Sequence, residues 1–204
     1  MTPFYYCRSE QYSKMARMCY VEFLSSKAFY DSGKFIVKED AGKENLLAAI
    51  NLCQKIDENY IGAIVFEAMA IESYVNLMGA YLTNEEAYYK EVGDKSITQK
   101  LKYIFKKIEK DFPKDLRIRI KRLFSKRNKL VHQRPQSIVI DIQNGDRNTI
   151  MREKGKLDKA LFLDLENIDA DMKLYDELKN TVKVIRGAEH ELIDEIMLKD
   201  EGEK

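Results

Sequence analysis

Arg127, Asn128 and His132 are residue types that can work on a phosphodiester. They lie within six positions, in the run Arg127-Asn128-Lys129-Leu130-Val131-His132. A guanidinium holds phosphate oxygens through a forked pair of hydrogen bonds. An imidazole with an ordinary pKa of about 6.5 takes up and releases protons near neutrality. The amide of Asn128 can bond to a phosphate, a ribose hydroxyl or a neighbouring imidazole. The only other histidine, His190, sits among Arg186, Ala188, Glu189 and Glu191 and reads as an ordinary helix residue. Each member of the pair also has a competing structural role. Arg127 can neutralise Glu67 or Glu72, acids on an otherwise apolar stretch that need partners. His132 can cap a helix C-terminus, where the dipole favours positive charge.

Spacing constrains how the pair works. Five residues at 100° each place Arg127 and His132 about 140° apart on an ideal helix. Two arrangements would bring them to one substrate atom. The helix can unwind before His132, or two chains can meet about a twofold axis and share their residues.

The setting is basic. Residues 95–134 contain 15 Lys and Arg against the three acids Glu109, Asp111 and Asp115, a net of +12. The whole chain is +1, so the remainder is −11. One strongly basic segment in a balanced protein is a footprint for a polyanion. Lys121, Arg122, Lys126, Lys129 and Arg134 are the candidate RNA contacts, with Arg147 and Arg152 further on. The alternative is a helix face neutralised by acids from the C-terminal half.

The 204 residues suit one domain with a substantial core. Gly and Pro are scarce and strong helix formers dominate. Cys7, Cys19 and Cys53 form no Cys-x-x-Cys pair, which suits free thiols in a reducing cytoplasm. No signal peptide pattern is visible at residues 1–12. The most apolar run, residues 61–78, is interrupted by Glu67 and Glu72 and reads as a buried core helix rather than a membrane span. The acids Asp164, Glu166, Asp169 and Asp171 read as a charged helix start, so no metal site and no cofactor are expected.

Hydrophobic periodicity supplies the elements that must carry these residues. Helices are expected at residues 10–30, 43–56 and 59–82. The first repeats Met15, Met18, Cys19, Val21, Phe23 and Leu24, and the third is apolar almost all round. Thr83-Asn84 caps a short acidic helix at 85–91. Ser96 starts a helix with Ile97, Leu101, Ile104, Phe105 and Ile108 inward. After Pro113 comes the basic helix 114–132, ended by Pro135. Ile138, Ile140 and Ile142 alternate before Asn144-Gly145, a strong hairpin signal, so 137–163 reads as a β-hairpin insertion. A long amphipathic helix at 169–198 closes the chain. The expected fold is a single all-α domain, residues 1–204, a bundle of about five to six helices with that insertion.

The run from Arg127 to His132 resembles the signature of the HEPN superfamily (higher eukaryotes and prokaryotes nucleotide-binding), an arginine, a polar residue, a few residues and a histidine. Glu72 and Asn76, in Ala70-Ile71-Glu72-Ser73-Tyr74-Val75-Asn76, look like the Glu-x-x-x-Asn core helix of its members. Ser96-Ile97-Thr98-Gln99-Lys100-Leu101 resembles the helix that follows. The likeness spans roughly residues 61–198, without the hairpin. It implies a metal-independent endoribonuclease, a toxin or antiviral effector, working as a homodimer on RNA and leaving 2′,3′-cyclic phosphate ends. In that reading Arg127, Asn128 and His132 are catalytic, while Glu67, Glu72 and Asn76 support them. The alternative within the fold is a non-catalytic nucleic-acid-binding or regulatory subunit. An antitoxin or regulatory partner is a further expectation. In one toxin subgroup the antitoxin modifies a tyrosine two residues after the histidine, but here Arg134 stands there.

Overall fold

The computed structural model describes residues 8–34, 42–132 and 167–186. All the regular structure in them is helical: α1 (Ser9–Asp31), α2 (Gly42–Thr83), α3 (Glu85–Val92), α4 (Ile97–Lys107), α5 (Lys114–Val131), α6 (Ile168–Asp171) and α7 (Leu174–Arg186). The hairpin expected at 137–163 lies outside the described residues, as do His190, Asp164, Glu166 and the end of the closing helix.

The two helices expected at 43–56 and 59–82 are one. α2 runs unbroken for 42 residues, about 63 Å at 1.5 Å per residue. The Asp57-Glu58 step between them contains neither Gly nor Pro, so polar composition alone does not interrupt the backbone ladder. α1 packs antiparallel along the first half of α2, with Phe23 against Tyr60 at 5.8 Å and Tyr12 against Phe66 at 6.5 Å between ring centroids. Gly62 permits the close crossing, because a Cβ there would stand 2.8 Å from Cys19 Sγ.

The expected apolar repeat of α1 is only partly internal. Phe23 is buried and Cys19 half-buried, whereas Met15, Met18, Val21 and Leu24 are exposed. Those six positions cover more than half of the helix circumference, and a single neighbour covers less. The face that α2 receives is built instead from Ser13, Ala16, Phe23, Ser26 and Tyr30.

The second half of α2 is the centre of the bundle. Ile64, Ala68, Ile71, Val75 and Met78 are buried with Leu101, Ile104 and Phe105 of α4, Leu116, Ile120 and Leu123 of α5, and Leu174, Leu178 and Val182 of α7. By length and composition Leu47–Thr83 could cross a membrane, but half of its most apolar window is buried inside this fold.

The helix ends follow their caps. Asn84, at φ 108°, accepts the Ala87 N–H at 2.8 Å and starts α3. Gln99 Oε1 accepts the Ser96 N–H at 3.1 Å and secures the start of α4. The closing helix is divided where a continuous one was expected. The Tyr175 N–H, which an unbroken helix would give to the Asp171 carbonyl, is donated to Glu67 Oε1 at 2.8 Å.

Candidate active site

α5 begins directly after Pro113, which stands at its N-cap with extended ψ of 125°. It turns Leu116, Ile120, Leu123 and Lys126 to the interior. Lys121, Asn128, Lys129 and His132 occupy the exposed side. His132 follows the last helical residue, and its N–H still bonds to the Asn128 carbonyl at 3.1 Å. The helix therefore does not unwind before His132, and the one-chain arrangement that required unwinding is absent.

Arg127 points a different way from His132. Its Nη2 lies 3.7 Å from Glu72 Oε2, and its Nη1 donates to Asn128 Oδ1 at 2.8 Å. Its guanidinium carbon stands 6.0 Å from the centroid of the Phe124 ring. The side chain remains 31% exposed, so part of it meets solvent although both terminal nitrogens have a neighbouring acceptor. The structure thus joins Arg127 with Asn128 and Glu72 and leaves His132 on the outer face of the same chain.

Behind Arg127 a polar network joins three further helices. Glu72 and Asn76 are one turn apart on α2. Lys100 of α4 reaches both, with its Nζ 3.1 Å from Asn76 Oδ1 and 4.0 Å from Glu72 Oε1. The Tyr88 hydroxyl of α3 donates to the same Asn76 oxygen at 3.1 Å. Burial, reinforced by the neighbouring Tyr89 and the Glu72 charge, holds the Tyr88 phenol protonated far above its usual range. Gly79 makes room for this ring: a Cβ there would sit 2.0 Å from Tyr88 Cε2. Lys100 and Tyr88 were not among the residues singled out from sequence. Lys100 did carry a signal, since it stands on the apolar stripe of Ile97, Leu101 and Ile104, where a cation must find a partner. Tyr88 carried none.

The basic segment divides. Lys126, expected on an RNA-binding surface, is only 5% exposed and ion-pairs with the fully buried Asp171 at 3.0 Å. Arg122 is half-buried and bonds to the other Asp171 oxygen at 2.7 Å. Arg119 forks onto Glu177 at 2.6 and 2.9 Å, and that pairing raises its pKa further. Lys126 therefore does not meet solvent, because it belongs to the buried stripe of α5, and Arg122 is already held. Lys121 and Lys129 are exposed. Arg134, Arg147 and Arg152 lie outside the described residues.

Glu67 is not a partner of Arg127. It is 1% exposed and bonds to the second residue of α7, where a carboxylate satisfies an otherwise unpaired helix N–H. Burial pushes its pKa up to about 7 against the lowering effect of that N–H, with Asp176 and Asp171 adding to the rise and Arg17 opposing it. No group of three or more candidate metal ligands occurs among the described residues.

Comparison of the chain with protein-family models, with curated proteins and with solved structures finds no match.

Proposed function

We propose that this chain is a metal-independent endoribonuclease of the HEPN type that works as a homodimer. The observation that carries the reading is Arg127 itself. It is partly exposed, aimed from the interior by Glu72 and braced by Asn128. A guanidinium oriented through both terminal nitrogens has little freedom left to lose when a phosphate takes its remaining N–H groups. Asn128 accepts from Arg127 through its oxygen, which leaves its amide N–H groups to donate to the same phosphate.

In the reaction the ribose 2′-oxygen attacks the adjacent phosphorus and the 5′-oxygen leaves. The products are a 2′,3′-cyclic phosphate and a 5′-hydroxyl. Arg127 stabilises the charge that builds on the phosphoryl oxygens. His132 either removes the 2′-hydroxyl proton or delivers one to the departing oxygen. Because Arg127 and His132 face apart on a helix that stays regular, each active site takes its arginine from one chain and its histidine from the other. Exposed Lys121 and Lys129 hold RNA by charge, without reading sequence. The HEPN resemblance adds a role as a toxin or antiviral effector, and it is also the ground for cleavage without metal.

The separation of Arg127 and His132 favours a second reading, a nucleic-acid-binding or regulatory module without catalysis. Incubation with RNA in EDTA distinguishes the two. The first reading expects cleavage with cyclic phosphate ends. His132→Ala should slow it by about 10²–10⁴, the usual scale for a lost proton donor or acceptor. Arg127→Ala should slow it by about 10²–10³. A His132→Ala protein that cuts at the wild-type rate excludes this mechanism. Salt-sensitive binding without any cleavage supports the second reading, and the absence of both points to a structural adaptor.

A further inference from the structure

A concavity of about 610 Å³ opens where α4 turns into α5, within the 300–1,000 Å³ typical of small-ligand sites. Phe105 and Phe112 form part of its wall, stacked at 4.8 Å with 14° between their planes. Phe105 is buried and covers one side of the Phe112 ring, while Phe112 is half-buried. A further flat ring can extend that stack from the open side.

Lys102, Lys106, Lys110 and Arg117 supply four more of its lining residues. Lys102 and Lys106 are one turn apart on the exposed side of α4. Among the described residues none of these four cations has an ion-pair partner, whereas Lys100, Arg119, Arg122, Lys126 and Arg127 all do. Two carboxylates, Glu109 and Asp111, also line the space, which leaves it net positive. Glu109 takes φ +54° as α4 ends, and the Lys110 N–H turns back to the Phe105 carbonyl at 3.0 Å. The turn thereby seats Lys110 and Phe112 against α4.

An aromatic stack beside uncommitted cations matches one ligand chemistry, a flat base carrying a phosphate. We propose that this concavity is a nucleotide-binding subsite, with the base continuing the Phe105–Phe112 stack and its phosphate held by Lys102, Lys106, Lys110 and Arg117. It is a different site from Arg127. Arg117 precedes Arg127 by ten residues, about 15 Å along α5. The nucleotide can come from a flanking stretch of single-stranded RNA or be free in solution.

The test is equilibrium binding by the full chain at several salt concentrations. One ligand is adenosine 5′-monophosphate. The other is a 2′-O-methyl oligoadenylate of about eight nucleotides, within the usual span of a single-strand site. That strand cannot be cut through its 2′-oxygen, so the result does not depend on whether the chain cleaves RNA. The exposed pair Lys102→Gln/Lys106→Gln should weaken binding about tenfold and flatten the salt slope by about one to two. Phe112→Leu, which keeps an apolar contact with Phe105, should weaken binding about tenfold with the slope unchanged, because stacking releases no counterions. Both effects on the oligonucleotide alone assign a strand nucleotide, and both on the monophosphate as well assign a free one. Wild-type affinity in Phe112→Leu reduces the feature to a charged surface and overturns the proposal. So does an unchanged lysine double variant, or failure of both ligands to bind at low salt.

Discussion

Two buried or half-buried glutamates one and a half turns apart on α2 do different work. Glu72 lies within ion-pair distance of Arg127 and Lys100. Glu72→Gln should leave Arg127 in place but loosen its aim. The expected loss is about tenfold in single-turnover cleavage, ~1.4 kcal/mol of transition-state stabilisation. Arg127→Lys should not restore the rate, since a point charge lacks the fork. An unchanged rate in Glu72→Gln would show that the carboxylate does not position the guanidinium. Glu67 titrates near neutrality because burial raises its pKa to about 7. The folded chain binds that proton more tightly than the unfolded chain, whose glutamate lies near 4.3. Its contribution is therefore fully present below about pH 4.3 and is lost as pH rises towards 7. Glu67→Gln keeps an acceptor for the Tyr175 N–H and carries no charge. Relative to wild type it should gain stability between pH 5 and pH 8, by up to about 3 kcal/mol. Urea unfolding of both proteins at the two pH values checks this, and a difference that stays constant would show that Glu67 does not titrate in that window.

At the scale of elements, the join between α5 and the α6–α7 pair is electrostatic as well as apolar. Asp171 is fully buried and holds Lys126 and Arg122. A buried ion pair is poor evidence of net stability, but removing one side of it is costly. Asp171→Ala should destabilise the fold by about 3–5 kcal/mol, read from the urea midpoint. A loss under 1 kcal/mol would mean that Lys126 finds solvent without its acid. The same join explains why α5 can be basic yet packed. Three of its cations are held by α6 and α7, so fewer charges remain exposed than the charge count suggests.

The whole molecule decides whether the proposed active site can exist. Within one chain Arg127 and His132 face apart, so the proposed activity would require a second copy with α5 near the twofold axis. Mixing inactive Arg127→Ala protein with inactive His132→Ala protein should restore part of the activity. A site drawn from two chains leaves, in each mixed dimer, one site with both residues intact. Mixing that restores nothing, or full-rate cleavage by a chain monomeric at micromolar concentration, would remove the shared site.

Much of the fold was legible because helix formation and termination are local. Thr83-Asn84, Ser96 and Pro113 mark helix starts within a few residues, and α3, α4 and α5 begin there. The inward stripe of α4 also followed from period alone, whereas Lys126, read as surface, belongs to the buried stripe of α5. The residue types able to act on phosphate, Arg127, Asn128 and His132, were visible as a cluster, and their angular separation followed from helix geometry. Partnership was not legible, because it depends on which helix lies across the way. Lys126 and Lys121 look alike in sequence, yet one meets Asp171 in the interior and the other meets water. Glu67 and Glu72 were interchangeable as partners of Arg127 until α7 brought the Tyr175 N–H to Glu67. Asp57-Glu58 read as a boundary, but packing of α1 along α2 rewards a continuous helix there, and nothing in the backbone opposes it. Local sequence determined where α3, α4 and α5 start and what chemistry they carry. The tertiary structure decided which charges are spent inside the bundle and which remain for a ligand, because burial makes an unpaired charge too costly to leave without a neighbour.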